Sequence, residues 1–395
     1  MATTVTTTES WGSRLGGSVR GVLTGLALFV IGFPVLFWNE GRSVKTARAI
    51  DEGEGACVSL ESNATVDPEM NGRLVHMTGR ADTGDVLTDD VFGVSATAIR
   101  LEREVEMYQW VEDSHTTEKK NVGGSVTKTT TYSYKQEWVD RAIDSSDFHD
   151  PGHDNPGAIE FPSEDRYAAN VSFGGFRLNE RQIRSIGASQ KLQFTADFTC
   201  RVERVQVQGN TILVPNAETR LNVLNTRNVA AQPRVGDMRV TFKAVYPHDR
   251  SLIAKQHGDT FVEYTAKNGR KLSYLRDGIA DAAEMFESAR SGNSFITWLV
   301  RLGGFLLMFM GLSALLRPLS VLADVLPILG DIVGIGTGVV AGLVALICSL
   351  VTIAIAWLFY RPVLGVALLV AAGFLVWKLA QKRKAAKAAA PEAKA

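Results

Sequence analysis

Cysteine is scarce. Cys57, Cys200 and Cys348 are the only three in 395 residues, too few for a disulfide scaffold. Cys348 lies inside an apolar run, so a bridge could join only Cys57 and Cys200, and only in an oxidising compartment. Two free, partly buried thiols are the other reading. Net charge is missing as well: 42 basic and 42 acidic residues leave no global field, and nucleic acid is not expected as a partner. Also absent are a phosphate-cradling Gly-rich loop, a Gly-x-Ser-x-Gly elbow, a His-Glu-x-x-His helix and a Cys-x-x-Cys pair. No catalytic residue, bound metal or cofactor is therefore expected.

Long stretches without charge dominate what is present. Residues 305–316, 332–360 and 363–377 are too apolar for a water-soluble domain. A helix needs roughly 20 apolar residues to cross a bilayer core. Together with the apolar run 22–38, they predict four spans, at 21–39, 296–317, 332–359 and 362–379. Arg42 and Lys45 separate the first run from the small residues Ala47 and Ala49, which argues for an uncleaved span over a signal peptide. Gly330, Gly334, Gly338 and Gly342 recur every four residues on one helix face, the spacing that lets helix backbones approach in lipid. Residues 319–330, broken by Asp324 and Pro327, read as an interfacial or re-entrant segment. Residues 1–20, rich in Thr and Ser at their start, read as a disordered cytoplasmic N-terminus.

Lys378, Lys382, Arg383, Lys384, Lys387 and Lys394 make the tail, 380–395 and its lead-in, basic. Under the positive-inside rule it stays cytoplasmic, and counting back through four spans puts residues 45–293 on the far side. That segment reads as mainly β. Residues 73–80, 98–112, 128–139, 191–200, 202–214, 238–245 and 260–275 are rich in Val, Thr and aromatic residues, several at period two. Asn268-Gly269 and Gly123-Gly124 mark hairpin turns. Residues 277–290 carry helical periodicity that would return the chain to the membrane. The fold class expected is thus a multi-pass α-helical membrane bundle with a large antiparallel, mainly-β (α+β) domain inserted between spans one and two.

Few residues invite chemistry. Arg301, near the start of the second span, either snorkels to the interface or pairs with Glu40. Asp147, His149, Asp150, His153 and Asp154 have metal-ligand side chains, but Pro151, Gly152 and Pro156 mark an irregular turn in which Asp is ordinary. Glu102, Glu104 and Glu106 fall on one strand face and read as a solvated edge. Tyr108, Trp110, Tyr134 and Trp138 are better core residues than a ligand face.

Several segments together resemble the transmembrane protein 43 family, also called LUMA. They are Asn39-Glu40-Gly41-Arg42, Gly72-Arg73-Leu74-Val75-His76, residues 105–112, Tyr132-Ser133-Tyr134 with Glu137-Trp138, Asn155-Pro156, residues 235–240, residues 308–312 and residues 357–362. The Asn39 to Arg42 run, Arg301, Tyr360 and Arg361 are the membrane-interface candidates. The resemblance implies a four-span scaffold with no catalytic residues, placed in eukaryotes at the endoplasmic reticulum and inner nuclear membrane with lamins and emerin as partners. The Ala- and Lys-rich tail looks like that of a bacterial member, for which the plasma membrane is the expected location. Expected partners are membrane lipids and a second copy or other membrane proteins. The reading is a non-enzymatic organiser of membrane or envelope complexes whose β domain is a binding module. A lipid-handling or lipid-modifying enzyme, or an envelope-stress factor, acting through the β domain is the alternative.

Overall fold

The computed structural model describes residues 3–195, 197–221 and 228–362. The expected fourth span and the basic tail lie outside the described residues beyond Pro362. The described residues divide into a β unit, 3–7, 49–118 and 128–288, and a helical unit, 8–48, 119–127 and those from 289 on. Among the described residues three helices are long and apolar enough to cross a membrane: α1 (Trp11–Ala56), α2 (Ala282–Ala323) and α3 (Pro327–Tyr360).

The strands that organise the β unit are β1 (Thr3–Glu9), β2 (Leu74–Asp82), β3 (Arg100–Lys120), β4 (Val126–Val139), β5 (Thr211–Val214), β6 (Met238–Val245), β7 (His248–His257) and β8 (Tyr274–Asp277). One sheet runs in the order β1-β4-β3-β6-β5 and the other is built on β2 and β7, with β8 along β7. β3 and β6 pair antiparallel from Met107 opposite Met238 to Arg100 opposite Val245. The period-two pattern is what this pairing needs. Leu101, Val105 and Met107 point into a core with Phe92, Phe242 and Val240, while Glu102, Glu104 and Glu106 point to the other face. The second core gathers Val75, Met77, Phe173, Phe176, Leu252 and Phe261.

Several expectations change. β3 is a central strand, so its glutamates are not a solvated edge. Arg239 Nη2 lies 2.6 Å from Glu106, and Lys243 pairs with Glu104. Residues 3–9, expected to be disordered, form β1 beside β4, and α1 begins at Trp11. The helix expected at 277–290 and the second span are one helix, α2, which runs on through Gly292, with no Pro at the junction to stop it. The segment 319–330 is the last turn of α2, a tight connection at Asp324 to Leu326, and the start of α3 with Pro327 in its first turn. Among the described residues of 191–200 only Lys191, the end of a two-residue strand with Gln190, is strand. Both hairpin turns form, with Gly269 at φ +80° and Gly123 and Gly124 at +91° and +81°. Phe173-Gly174-Gly175-Phe176 is itself a turn whose two Phe side chains are buried opposite each other.

Candidate functional site: a polar staple in the helical unit

Inside the helical unit α1 and α2 run antiparallel, and the contact is made by glycines. A Cβ at Gly25 would fall 2.8 Å from Ala314, one at Gly304 would fall 2.4 Å from Leu36, and one at Gly311 would fall 2.5 Å from the Phe29 amide. Gly25 and Gly32 on α1, and Gly304 and Gly311 on α2, are each seven residues apart, so both helices present them on the shared seam. Leu36, Met308 and Ala345 fill the space between the helices, bordered by Phe29, Phe33, Phe305 and Phe309. The row expected on α3 lies off this seam. Gly330 is pressed against Asp324, while among the described residues Gly334, Gly338 and Gly342 meet no backbone closely.

One end of this seam is polar and buried. Glu40 is 1% exposed and accepts hydrogen bonds from Arg301 Nε at 2.6 Å and Nη2 at 2.9 Å, and from Trp357 Nε1 at 2.8 Å. The Arg301 guanidinium also stands 4.8 Å from the Trp298 ring centroid and 5.7 Å from that of Trp357. Residues from all three helices thus converge on one carboxylate. Of the two readings of Arg301, pairing is what the side chain does. A lone charge at the centre of a membrane helix costs about 2.5–3.5 kcal/mol on insertion scales, and a bidentate partner removes the reason to reach for water.

The neighbouring residues of the same motif continue the knot. Asn39, wholly buried, donates Nδ2 to the Thr297 carbonyl at 3.0 Å. Arg42 reaches Asn293 Oδ1, Asn39 Oδ1 and Thr297 Oγ1 within 3.1–3.3 Å. Gly41 leaves room for the Tyr360 ring, which a Cβ there would meet at 2.5 Å, and Arg48 donates to the Tyr360 carbonyl at 3.0 Å. Arg361 follows as the C-cap of α3, its amide bonded to the Trp357 carbonyl. Every oxygen of Glu40 is engaged by a cation or an indole. Such a carboxylate is held in place by residues of two other helices.

Sequence reasoning missed a second polar cluster, at the other end of the seam. Asp324, 1% exposed, pairs with Arg14 and with Lys120 Nζ at 2.6 Å, and Lys120 also reaches Asp331 at 2.9 Å. Burial by itself would raise the Asp324 pKa, but the hydrogen bonds from Lys120 and Arg14 outweigh it and hold the carboxyl below its ordinary value. Pro327 and the glycine at 330 were the available signal, since both mark a chain reversal with room for a side chain.

In the β unit, the aromatic and histidine residues are partners of one another. His149 stacks on Tyr132 at 4.2 Å, and His153 stacks on Tyr134 at 3.9 Å and meets Trp110 edge-on at 4.6 Å. Tyr134 donates to Glu112 at 2.6 Å, and burial with this hydrogen bond pushes its hydroxyl up to about 12. Among the described residues no group of three His, Cys, Asp or Glu is arranged to hold a metal ion. The other resemblance motifs shape the sheet joint: Asn155 bonds the Trp110 amide and carbonyl through its side chain, at 2.7 and 2.9 Å. Wholly buried Asp237 accepts the amides of Asn216 and Arg234, and Gly236, at φ +89°, donates to the Tyr108 carbonyl. Cys57 and Cys200 are free.

Apolar helices knotted by a buried ion pair, in a chain that also forms a large antiparallel β unit, mark an integral membrane protein. The family model for Transmembrane protein 43 matches residues 107–362. The chain is 36% identical over 360 residues to Transmembrane protein 43 of Mus musculus and of Homo sapiens, covering 88% of this chain and 86% of each relative. It is 30% identical over 366 residues to the Drosophila melanogaster homolog, covering 90% of this chain and 93% of that one. The chain belongs to the Transmembrane protein 43 family. These relatives are animal proteins, and nothing in them supports the bacterial assignment. No solved structure matches.

Proposed function

We propose that this protein is a non-enzymatic organiser of membrane protein complexes, with the helical unit as its lateral docking surface and the β unit as its binding module. The observation that carries this reading is how the helical unit distributes its polarity. Glu40, Asn39 and Asp324 are turned inward, while Ile335, Val339, Leu343, Ile347 and Leu350 remain exposed along α3. Side chains of that kind, on a helix already tied to its neighbours, are free to meet lipid or the helices of a second copy or another membrane protein. Lamins and emerin enter only in a cell with a nuclear envelope, on the strength of the family resemblance.

Cross-linking in native membranes tests the proposal. Recurrent adducts that include residues of α3 are expected, and capture of monomer alone would remove it. A His149→Ala/His153→Ala double variant that keeps those adducts but loses a lipid bound by the purified protein would shift the reading to lipid handling.

A further inference from the structure

Opposite its core, the first sheet carries a groove of about 700 Å³. Register fixes the floor. Across β3 and β6, Glu106 stands opposite Arg239, Glu104 opposite Thr241 and Glu102 opposite Lys243, and directly opposed residues share a face. Thr211 of β5 extends the Thr241 row, and Lys191, in the two-residue strand Gln190–Lys191, extends the Lys243 row. Beyond β3 the lining is completed by Ser163, whose hydroxyl accepts the Val105 amide at 3.0 Å, and by Asp140, just past the end of β4. Acids thus lie on one side of the groove and cations on the other. Most of these charges are already answered. Glu106 pairs with Arg239 and Glu104 with Lys243, and the Arg239 guanidinium also rests 4.9 Å from the Trp138 ring centroid. Asp140 and Lys191 differ: both are exposed, and among the described residues neither has an ion-pair partner.

We propose that this groove is where the β unit takes its partner, and that the partner is an extended polypeptide segment with a basic side chain on Asp140 and an acidic one on Lys191. The proposal rests on the reading of the β unit as a binding module and gives that module a ligand. Small-molecule pockets are lined mainly by apolar side chains. Here the one apolar residue in the lining, Val105, turns its side chain into the core. What remains are hydroxyls from Ser163, Thr211 and Thr241 and charges of both signs, which match the amides, carbonyls and mixed side chains of a peptide. Spacing sets the length. Asp140 follows Trp138 by two residues and so marks the Arg239 end, while Lys191 marks the Lys243 end, four residues along β6. Four strand residues span about 13 Å, so the two charges of the ligand belong at positions i and i+4 of an extended segment.

Three fluorescent peptides with blocked termini test this against the full-length protein in detergent, by fluorescence polarisation. Each has three Thr between its charged ends, which are Lys and Glu, Lys and Lys, or Glu and Glu. The Lys and Glu peptide is expected to bind saturably and roughly fivefold more tightly than the other two, the size of effect an exposed charge pair gives. Asp140→Lys should move the preference to the Glu and Glu peptide, and Lys191→Glu to the Lys and Lys peptide. Both positions are exposed, so the variants should elute from size exclusion as the parent does. The milder Asp140→Asn and Lys191→Gln should level the preference without reversing it. No saturable binding of any of the three peptides overturns the proposal, and so does binding that ignores all four substitutions. Cross-links through α3 do not involve these residues. If those adducts persist while no peptide binds, the groove falls and the organiser reading stands.

Discussion

The two units of this molecule sort the same twenty side chains in opposite ways. In the β unit, Phe92, Phe173, Phe242, Leu252 and Phe261 are buried, and charge runs along a sheet face as the Glu104–Lys243 and Glu106–Arg239 pairs. In the helical unit, Leu299, Leu302, Ile335 and Leu350 are exposed, and Asn39, Glu40 and Asp324 are buried. The driving force for burying apolar area exists only against water. Against hydrocarbon it vanishes, so close backbone contact and interhelical hydrogen bonds have to hold the helices together. The difference teaches that the β unit, even with its buried Arg103–Asp89 pair, has apolar burial to hold it, while in the helical unit the buried ion pair is a principal fastening.

The hardest blow to that comparison is Glu40→Ala. It leaves the partly buried Arg301 without a counter-charge and the Trp357 indole without an acceptor, and breaking a buried pair on one side costs at most about 3–5 kcal/mol. Thermal unfolding in detergent, followed by size-exclusion chromatography, should show the loss. The Glu40→Arg/Arg301→Glu exchange should recover part of it, and an exchange no better than the single variant would mean the pair does not fasten the helices. In the β unit the matching cut is apolar. Leu252→Ala should cost about 2–5 kcal/mol, while Glu106→Ala, facing Arg239 on a partly open sheet face, should cost about 0–1 kcal/mol. Equal effects of the two would erase the contrast. Next in size is Gly311→Val, whose added methyls meet the Phe29 backbone. A cost of about 1–3 kcal/mol is expected there, and no measurable cost for Gly338→Val, which meets nothing within 4 Å among the described residues.

Much of this was open to a reader of the sequence, and the rest was hidden for identifiable reasons. The apolar runs at 22–38, 305–316 and 332–360, the period-two pattern of residues 100–110 and the Asn268-Gly269 turn are local signals, and each appears in the fold. β7 escaped notice although it is central to its sheet. His248, Asp249 and Arg250 open it, Ala254-Lys255-Gln256 closes it, and neither alternation nor β-branching marks a strand flanked by β2 and β8. The Glu40 and Arg301 pair could be named as a possibility, but Trp357 could not, because it arrives from 317 positions away. The glycine row on α3 has the regular spacing that attracts the eye. The seam glycines are more widely spaced and lie on two separate helices, so only the antiparallel pairing of α1 with α2 reveals them.

The smallest effect distinguishes the two units by solvent, not by stability. Cys57 follows the last residue of α1 on the β-unit side of the division, and burial pushes its thiol up to about 11. Only the thiolate is nucleophilic, so at pH 8 its alkylation should run roughly a hundredfold slower than that of a thiol at the ordinary value near 9. Because the folded value lies above the unfolded one, folding holds the proton. Its contribution to stability is complete below the unfolded pKa and is lost as pH rises through about 11. Iodoacetamide labelling followed by peptide mass analysis should therefore show Cys57 protected at pH 8, released by denaturant at the same pH, and released in the folded protein as pH approaches 11. Protection that persists there would mean that steric closure, not a held proton, shields the thiol.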